Sequence, residues 1–113
     1  MRLAITTSGP ELHSPVEPRF GRARFFRIVD VETGQQLPVD NTSGVNAVQE
    51  AGTQAVRTLA RLGVEVVLTG QVGPKVRSAL QAARIRVYPV DGGTGEQVVR
   101  AFVSGRLHRR EPT

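Results

Sequence analysis

The chain has 113 residues, 39% hydrophobic and 22% charged, with a formal net charge of +5. That is enough for one domain with its own core, without disulfides or a structural metal, and no apolar run nears the ~20 residues of a membrane-spanning helix. There are no cysteines, which excludes disulfides, thiolate nucleophiles, zinc ribbons and cysteine-ligated iron–sulfur clusters.

The opening "MRLAITTSGP" has no long apolar segment and no cleavage site, so it reads as a first strand and the protein as cytoplasmic. "RLAIT" (2–6) is that strand. "ARFFRIVDVE" (23–32) is a stronger second one, with Phe26 and Ile28 on one face and Phe25, Val29 and Val31 on the other, as in a strand covered on both sides. Phe25 and Phe26 are expected in the core. "TGQQ" (33–36) is a turn, and "LPVDN" (37–41) returns as a third strand whose Pro38 suggests an edge.

From Asn46 to Leu62 the period becomes helical: Val48, Ala51, Ala55, Val56, Leu59 and Leu62 recur on one stripe, and Gly63 is a stop. "VEVVLTG" (64–70) is the fourth strand. "GPKVRSALQAA" (73–83) is a helix with Pro74 at its first position. "IRVYPV" (85–90) is the fifth strand. "TGEQVVRAFVSG" (94–105) is a third helix, with Thr94 and Gln97 at capping-box spacing and Gly105 as its stop. Residues 1–107 form a single domain, and 108–113 read as a flexible basic tail.

The order βββαβαβα predicts an α/β fold with helices on both faces of a mixed sheet. Right-handed crossovers make strands one, four and five parallel, in the spatial order 3-2-1-4-5 with strand two antiparallel. This is a ribonuclease H-like three-layer α/β/α arrangement.

Ligands in such a sheet favour the carboxyl ends of the parallel strands. Three glycine-rich loops meet there: 7–23, 69–75 and 90–95. The second and third open helices, whose N-termini offer free N–H groups and a positive dipole end. Arg19, Phe20, Gly21 and Arg22 close the first loop. Gly70, Gly73 and Lys75 line the second, and Gly93 and Thr94 the third. Together they suggest an anion pocket. Each has a plainer reading. The glycines serve equally well as turn residues, and Phe20 suits a core. Arg22 and Arg24 suit a solvated surface or pairing with Glu17 or Asp30, Arg24 above all the surface. No metal-ligand set is apparent: His13 is a remote candidate from the long loop, and His108 lies in the tail.

"PRFGRARFFRIVD" followed by "GTQAVRTLARLGVEVVLTGQVGPKVRSALQAARIRVYPVDGGTGEQVVRAFVSGRL" resembles the dinitrogenase iron–molybdenum cofactor biosynthesis family. That family includes NifX-like accessory proteins, the C-terminal domain of the NifB type and the small orange protein that carries a molybdenum–copper sulfide cluster. "VDN", "LTG.VGPK" and "LQAA" look most like the orange-protein type. The resemblance spans about Met1 to Leu107. It implies a ribonuclease H-like fold and noncovalent binding, storage or delivery of an anionic cluster of molybdenum with iron or copper. Arg19, Phe20, Gly21 and Arg22 match its loop motif, and Gly70, Gly73, Pro74 and Lys75 its second block. Several members have histidine where Arg19 stands, so Arg19 implies outer-sphere contact or a different cargo. Members often have glycine where Arg84 ends the second helix; a left-handed arginine there costs ~1 kcal/mol.

A nuclease of the same fold needs clustered carboxylates on two metal ions. The first strand has no acid, and the only aspartates are Asp30, Asp40 and Asp91, so no catalysis is expected. Nucleic-acid binding is permitted by charge and disfavoured by 4% aromatic content without a stacking motif. An interaction module for cofactor-assembly proteins, with no cluster of its own, stays open, as does a monomer against a weak oligomer.

Overall fold

The computed structural model describes residues 1–41 and 51–105. Five strands, β1 (Arg2–Thr7), β2 (Phe25–Asp30), β3 (Gln36–Asp40), β4 (Val64–Thr69) and β5 (Arg86–Pro89), form one sheet in the order β3-β2-β1-β4-β5. β2 is antiparallel to β1 and β3, and β1, β4 and β5 are parallel. Three helices join them: α1 (Ala51–Arg61), α2 (Pro74–Ala82) and α3 (Gly95–Val103). The ribonuclease H-like α/β order expected from the sequence is the one observed. The expected start of the first helix, from Asn46 through Val48, and the tail 108–113 lie outside the described residues.

Period-two alternation sorts the side chains into two cores. Ala4, Phe26, Ile28 and Val67 face α1 and α2, meeting Ala55, Val56, Leu59 and Leu80. Leu3, Ile5, Val29, Val66 and Leu68 face α3, meeting Val98, Val99 and Phe102. Val64 breaks the alternation and joins the first core. The register between β1 and β4 slips by one there, pairing Arg2 with Val64 but Leu3 with Val66. That bulge flips the face of one residue. Phe25, expected in the core, is only half-buried, because it stands at the end of β2.

Pro38 sits on an edge strand. Asn41 N–H donates to Arg24 O and Asp30 N–H to Gln35 O. Hydrogen-bonded pairs alternate along an antiparallel ladder, so Phe26–Val39 and Ile28–Leu37 are bonded pairs and Arg27–Pro38 is not. The Pro38 nitrogen therefore faces outward, where a missing donor disrupts no internal bond and discourages a sixth strand.

The helix ends obey local chemistry. Gly63 takes φ 74° after α1. α2 ends in a Schellman motif: Ile85 N–H donates to Leu80 O at 2.9 Å and Arg84 N–H to Gln81 O at 3.0 Å. Ile85 and Leu80 are both buried in the first core, the hydrophobic contact that accompanies this motif. The motif needs a left-handed residue after the cap, and Arg84 supplies it at φ 60°. At the same C-terminal end of α1 as Gly63, the Arg2 guanidinium donates to Leu62 O at 2.7 Å, a cation where the helix dipole is negative.

Candidate functional site

The carboxyl ends of β1, β4 and β5 are covered by residues 8–24, which leave β1 and return to β2. This long loop is tied down on both sides. Toward β4, Gln71 N–H donates to Pro18 O at 2.5 Å and Phe20 N–H donates to Gln71 O at 3.0 Å. Toward β5, Val16 N–H donates to Gly93 O at 2.8 Å, Gly95 N–H to Ser14 O at 3.1 Å and Glu96 N–H to Leu12 O at 2.9 Å. Thr6, next to the last residue of β1, and Thr69, the last of β4, are fully buried with their hydroxyls 2.8 Å apart, and Thr6 Oγ1 is also 2.8 Å from Glu17 O. A carbonyl only accepts, so Thr6 donates to Glu17 and receives its second bond from Thr69.

These ties decide which predicted residues face outward. Gly70 has no side chain because the loop occupies its place. A Cβ there would meet the Pro18 carbonyl, 3.0 Å from its carbon and closer to its oxygen. Gly95 is pressed likewise, with Leu12 O 2.7 Å from a would-be Cβ. Gly70 therefore serves close backbone packing.

The two helix N-termini are unequal. At α3, Thr94 Oγ1 accepts from Gln97 N–H at 3.2 Å, and Gln97 Oε1 accepts from Thr94 N–H at 2.9 Å. With Gly95 and Glu96 N–H given to the long loop, the first-turn donors of α3 are spent. Gly93 and Thr94, expected in the pocket, are held by the protein's own backbone and cap. At α2, Gly73 is the N-cap and makes no side-chain hydrogen bond, Pro74 follows at the first position, and no atom lies within 4 Å of a Cβ at Gly73. This is the open end.

Arg19 to Arg22 stand beside it. Arg19 bridges to Gln71, and Phe20–Arg22 form a 3-10 turn. Phe20 itself is 1% exposed and packs on Phe26 with ring centroids 5.3 Å apart. The ring fills the first core, the plainer of its two expected places, and only its backbone joins the rim. Arg19, Gly21, Arg22, Gly73 and Lys75 are exposed. The Glu17 carboxylate accepts from Arg19 N–H at 3.0 Å, which fixes the turn and leaves the Arg19 guanidinium outward.

Two contributors escaped the sequence reading. Gln71 docks the loop through its backbone alone, which no side-chain pattern signals. Arg77, one turn into α2, is half-buried; its guanidinium lies 3.4 Å from Val72 O, and its Nε is buried with no partner among the described residues. The sequence signal was present, two residues after Lys75. Neither Arg22 nor Arg24 pairs with Asp30, which lies at the opposite edge with Arg2 at 3.8 Å. There the N–H groups of Thr33 and Glu32 donate to Asp30, and with the N-terminus and Arg2 they hold its carboxyl below the usual range. His13 is exposed, and no three metal-ligating side chains cluster among the described residues. No helix among the described residues is long and apolar enough to cross a membrane.

The family model described as dinitrogenase iron-molybdenum cofactor matches residues 1–105. The chain belongs to this family. Its fold is similar to the apo form of the orange protein from Desulfovibrio gigas, at 43% identity and TM-score 0.92, over 96% of this chain and 92% of that one. It is also similar to a Thermotoga protein provisionally described as NifB, at 36% identity and TM-score 0.86, over 98% of each chain. An uncharacterized protein of Methanocaldococcus jannaschii is 28% identical, over 98% of this chain and 92% of its own length.

Proposed function

We propose that this protein binds, stores or delivers an anionic metal–sulfur cluster, without catalysing a reaction, and that the cluster docks at the N-terminus of α2. The coarser part, a role in iron–molybdenum cofactor biosynthesis or cluster binding, is supported by the family and by the likeness to the orange protein. The single observation behind the finer part is the open α2 cap at Gly73, flanked by the exposed cations Arg19, Arg22 and Lys75. A chain without cysteine offers no thiolate to the metal. It offers shape, backbone N–H groups and positive charge, which suit a cargo that brings its own sulfides. Molybdenum with iron or copper is the cargo class this reading favours.

The test mixes purified apo-protein with thiomolybdate, with and without copper, and follows visible absorption and metal through a desalting column. Co-elution of colour and metal is expected, and its loss in the Arg19→Glu, Arg22→Glu, Lys75→Glu variant locates the pocket. Retention by that variant would place the pocket elsewhere. If neither thiomolybdate nor iron–sulfur cofactor precursors are retained by the wild type, the carrier reading fails.

A further inference from the structure

Charge is divided unevenly between the two sides of the sheet. Residues 18–24, 51–63 and 70–84 hold eight of the fifteen basic residues and none of the ten acidic ones. These segments form one side of the molecule: Phe20, Ala23, Val56, Leu59, Val72 and Leu80 share its core. α1 and α2 lie side by side, interlocked where Gly52 leaves room for Val76 Cγ2. The nearest acids in sequence are Glu17, Glu50 and Glu65.

Arg57, Arg61, Lys75 and Arg84 are all exposed. The ion pairs that join Met1 to Glu32, Arg2 to Asp30 and Arg100 to Glu96 all lie away from these cations. Unpaired like charges on one layer repel each other and cost stability, which a complementary surface would relieve. Between the cations the exposed residues are small or neutral: Gln54, Ala60, Ser78, Gln81 and Ala82.

From this we infer that the outer face of α1 and α2 is a docking surface for an acidic protein. An acidic patch complements the cations, and the uncharged residues between them, Ala60, Ser78 and Ala82 being small, let a folded partner approach closely. A single-stranded nucleic acid is a poorer fit. Such strands are gripped by aromatic stacking, and neither α1 nor α2 carries an aromatic residue. The surface does not depend on the cluster reading, but it borders the α2 cap, so a partner seated here would stand beside any cargo held there.

The test follows backbone amides of the full chain by NMR during titration with polyglutamate, and separately with a single-stranded oligonucleotide of matched charge, at physiological salt. Polyglutamate is expected to shift amides of α1 and α2 and leave α3 unmoved. Arg57→Glu with Arg61→Glu should weaken binding by roughly tenfold or more, and the milder Arg57→Gln with Arg61→Gln should weaken it less. Both pairs leave Arg19, Arg22, Gly73 and Lys75 unchanged, so thiomolybdate retention should survive them; its failure in the wild type would count against the carrier reading alone. Shifts spread over α3, binding indifferent to either pair, no binding, or tighter binding of the oligonucleotide on the same face would each overturn the inference.

Discussion

Replacing Gly70 by alanine tests whether the long loop is built into the fold or only drapes over it. The new Cβ would meet the Pro18 carbonyl, which is backbone and has no rotamer to escape into. The loop must lift, and two hydrogen bonds go with it: Gln71 N–H to Pro18 O and Phe20 N–H to Gln71 O. At about 1 kcal/mol net for each bond, the loss is about 2 kcal/mol. For a domain of this size that corresponds to a fall in Tm of roughly 8 °C. Gly73→Ala is the control. Its Cβ meets nothing within 4 Å and its φ of −70° suits alanine, so only a cap preference of less than about 1 kcal/mol is lost. Thermal and urea unfolding followed by circular dichroism measure both. Hydrogen exchange at the Phe20 and Gln71 amides should quicken in Gly70→Ala and hold in Gly73→Ala. If Gly70→Ala melts with the wild type and its Phe20 amide stays protected, the loop is not docked as described, and the argument for an ordered rim falls.

Arg84→Gly removes a left-handed side chain at φ 60° and should raise stability by about 1 kcal/mol, a gain read by urea unfolding; a loss would mean the arginine side chain is worth more than its strain. Thr94→Ala deletes the capping box of α3 and should cost about 1 kcal/mol in the same assay, while thiomolybdate retention stays unchanged because that helix end is closed. Asp30 has a folded pKa below its ordinary 3.8, so its contribution is fully present above that value and is lost as pH falls through the folded value. Asp30→Asn should therefore show a shallower loss of urea midpoint below pH 3.8 than the wild type, and parallel curves would remove Asp30 from the account. Perchlorate, a monoanion, should not displace bound thiomolybdate at matched ionic strength; displacement at stoichiometric amounts would show a pocket that holds one charge only.

The sheet order was legible because it follows from element order and crossover handedness, neither of which depends on side-chain detail. The helix stops at Gly63 and Gly105 were legible too, and both take positive φ; Arg84, which the family resemblance alone marked, takes φ 60° as well. The site was legible only by address. All three glycine-rich loops reach the expected edge, but glycine looks the same whether it admits a ligand or another stretch of backbone. Gly70 and Gly95 admit Pro18 and Leu12, partners some fifty to eighty residues away that no local pattern encodes. Thr94 and Gln97 have capping-box spacing, and a capping box consumes the N–H groups an anion would need, so the pattern that marks this helix start also argues against an anion there. Phe20 carried two readings, a core ring and a rim residue of a basic, glycine-containing motif, and its packing on Phe26 across the turn, which no local pattern encodes, favours the core.

Closing one of the two helix ends changes what the remaining pocket can hold. One charge pair at 4 Å gives about 4 kcal/mol at an effective dielectric near 20, before desolvation and ordering. Micromolar binding needs about 8 kcal/mol net, and a single helix end adds only about 1 kcal/mol. Arg19, Arg22 and Lys75 are exposed, so ordering each long side chain consumes much of what its contact supplies. In the proposed site a monoanion would engage one of them well and fall short. A multiply charged cluster would engage all three and the α2 cap together, its second and third contacts made within a complex already formed. On that reading the rim would select by charge number and size. Exposed cations are screened by salt, so a cluster held as proposed would be released without breaking a metal–protein bond, as the proposed delivery to another protein requires.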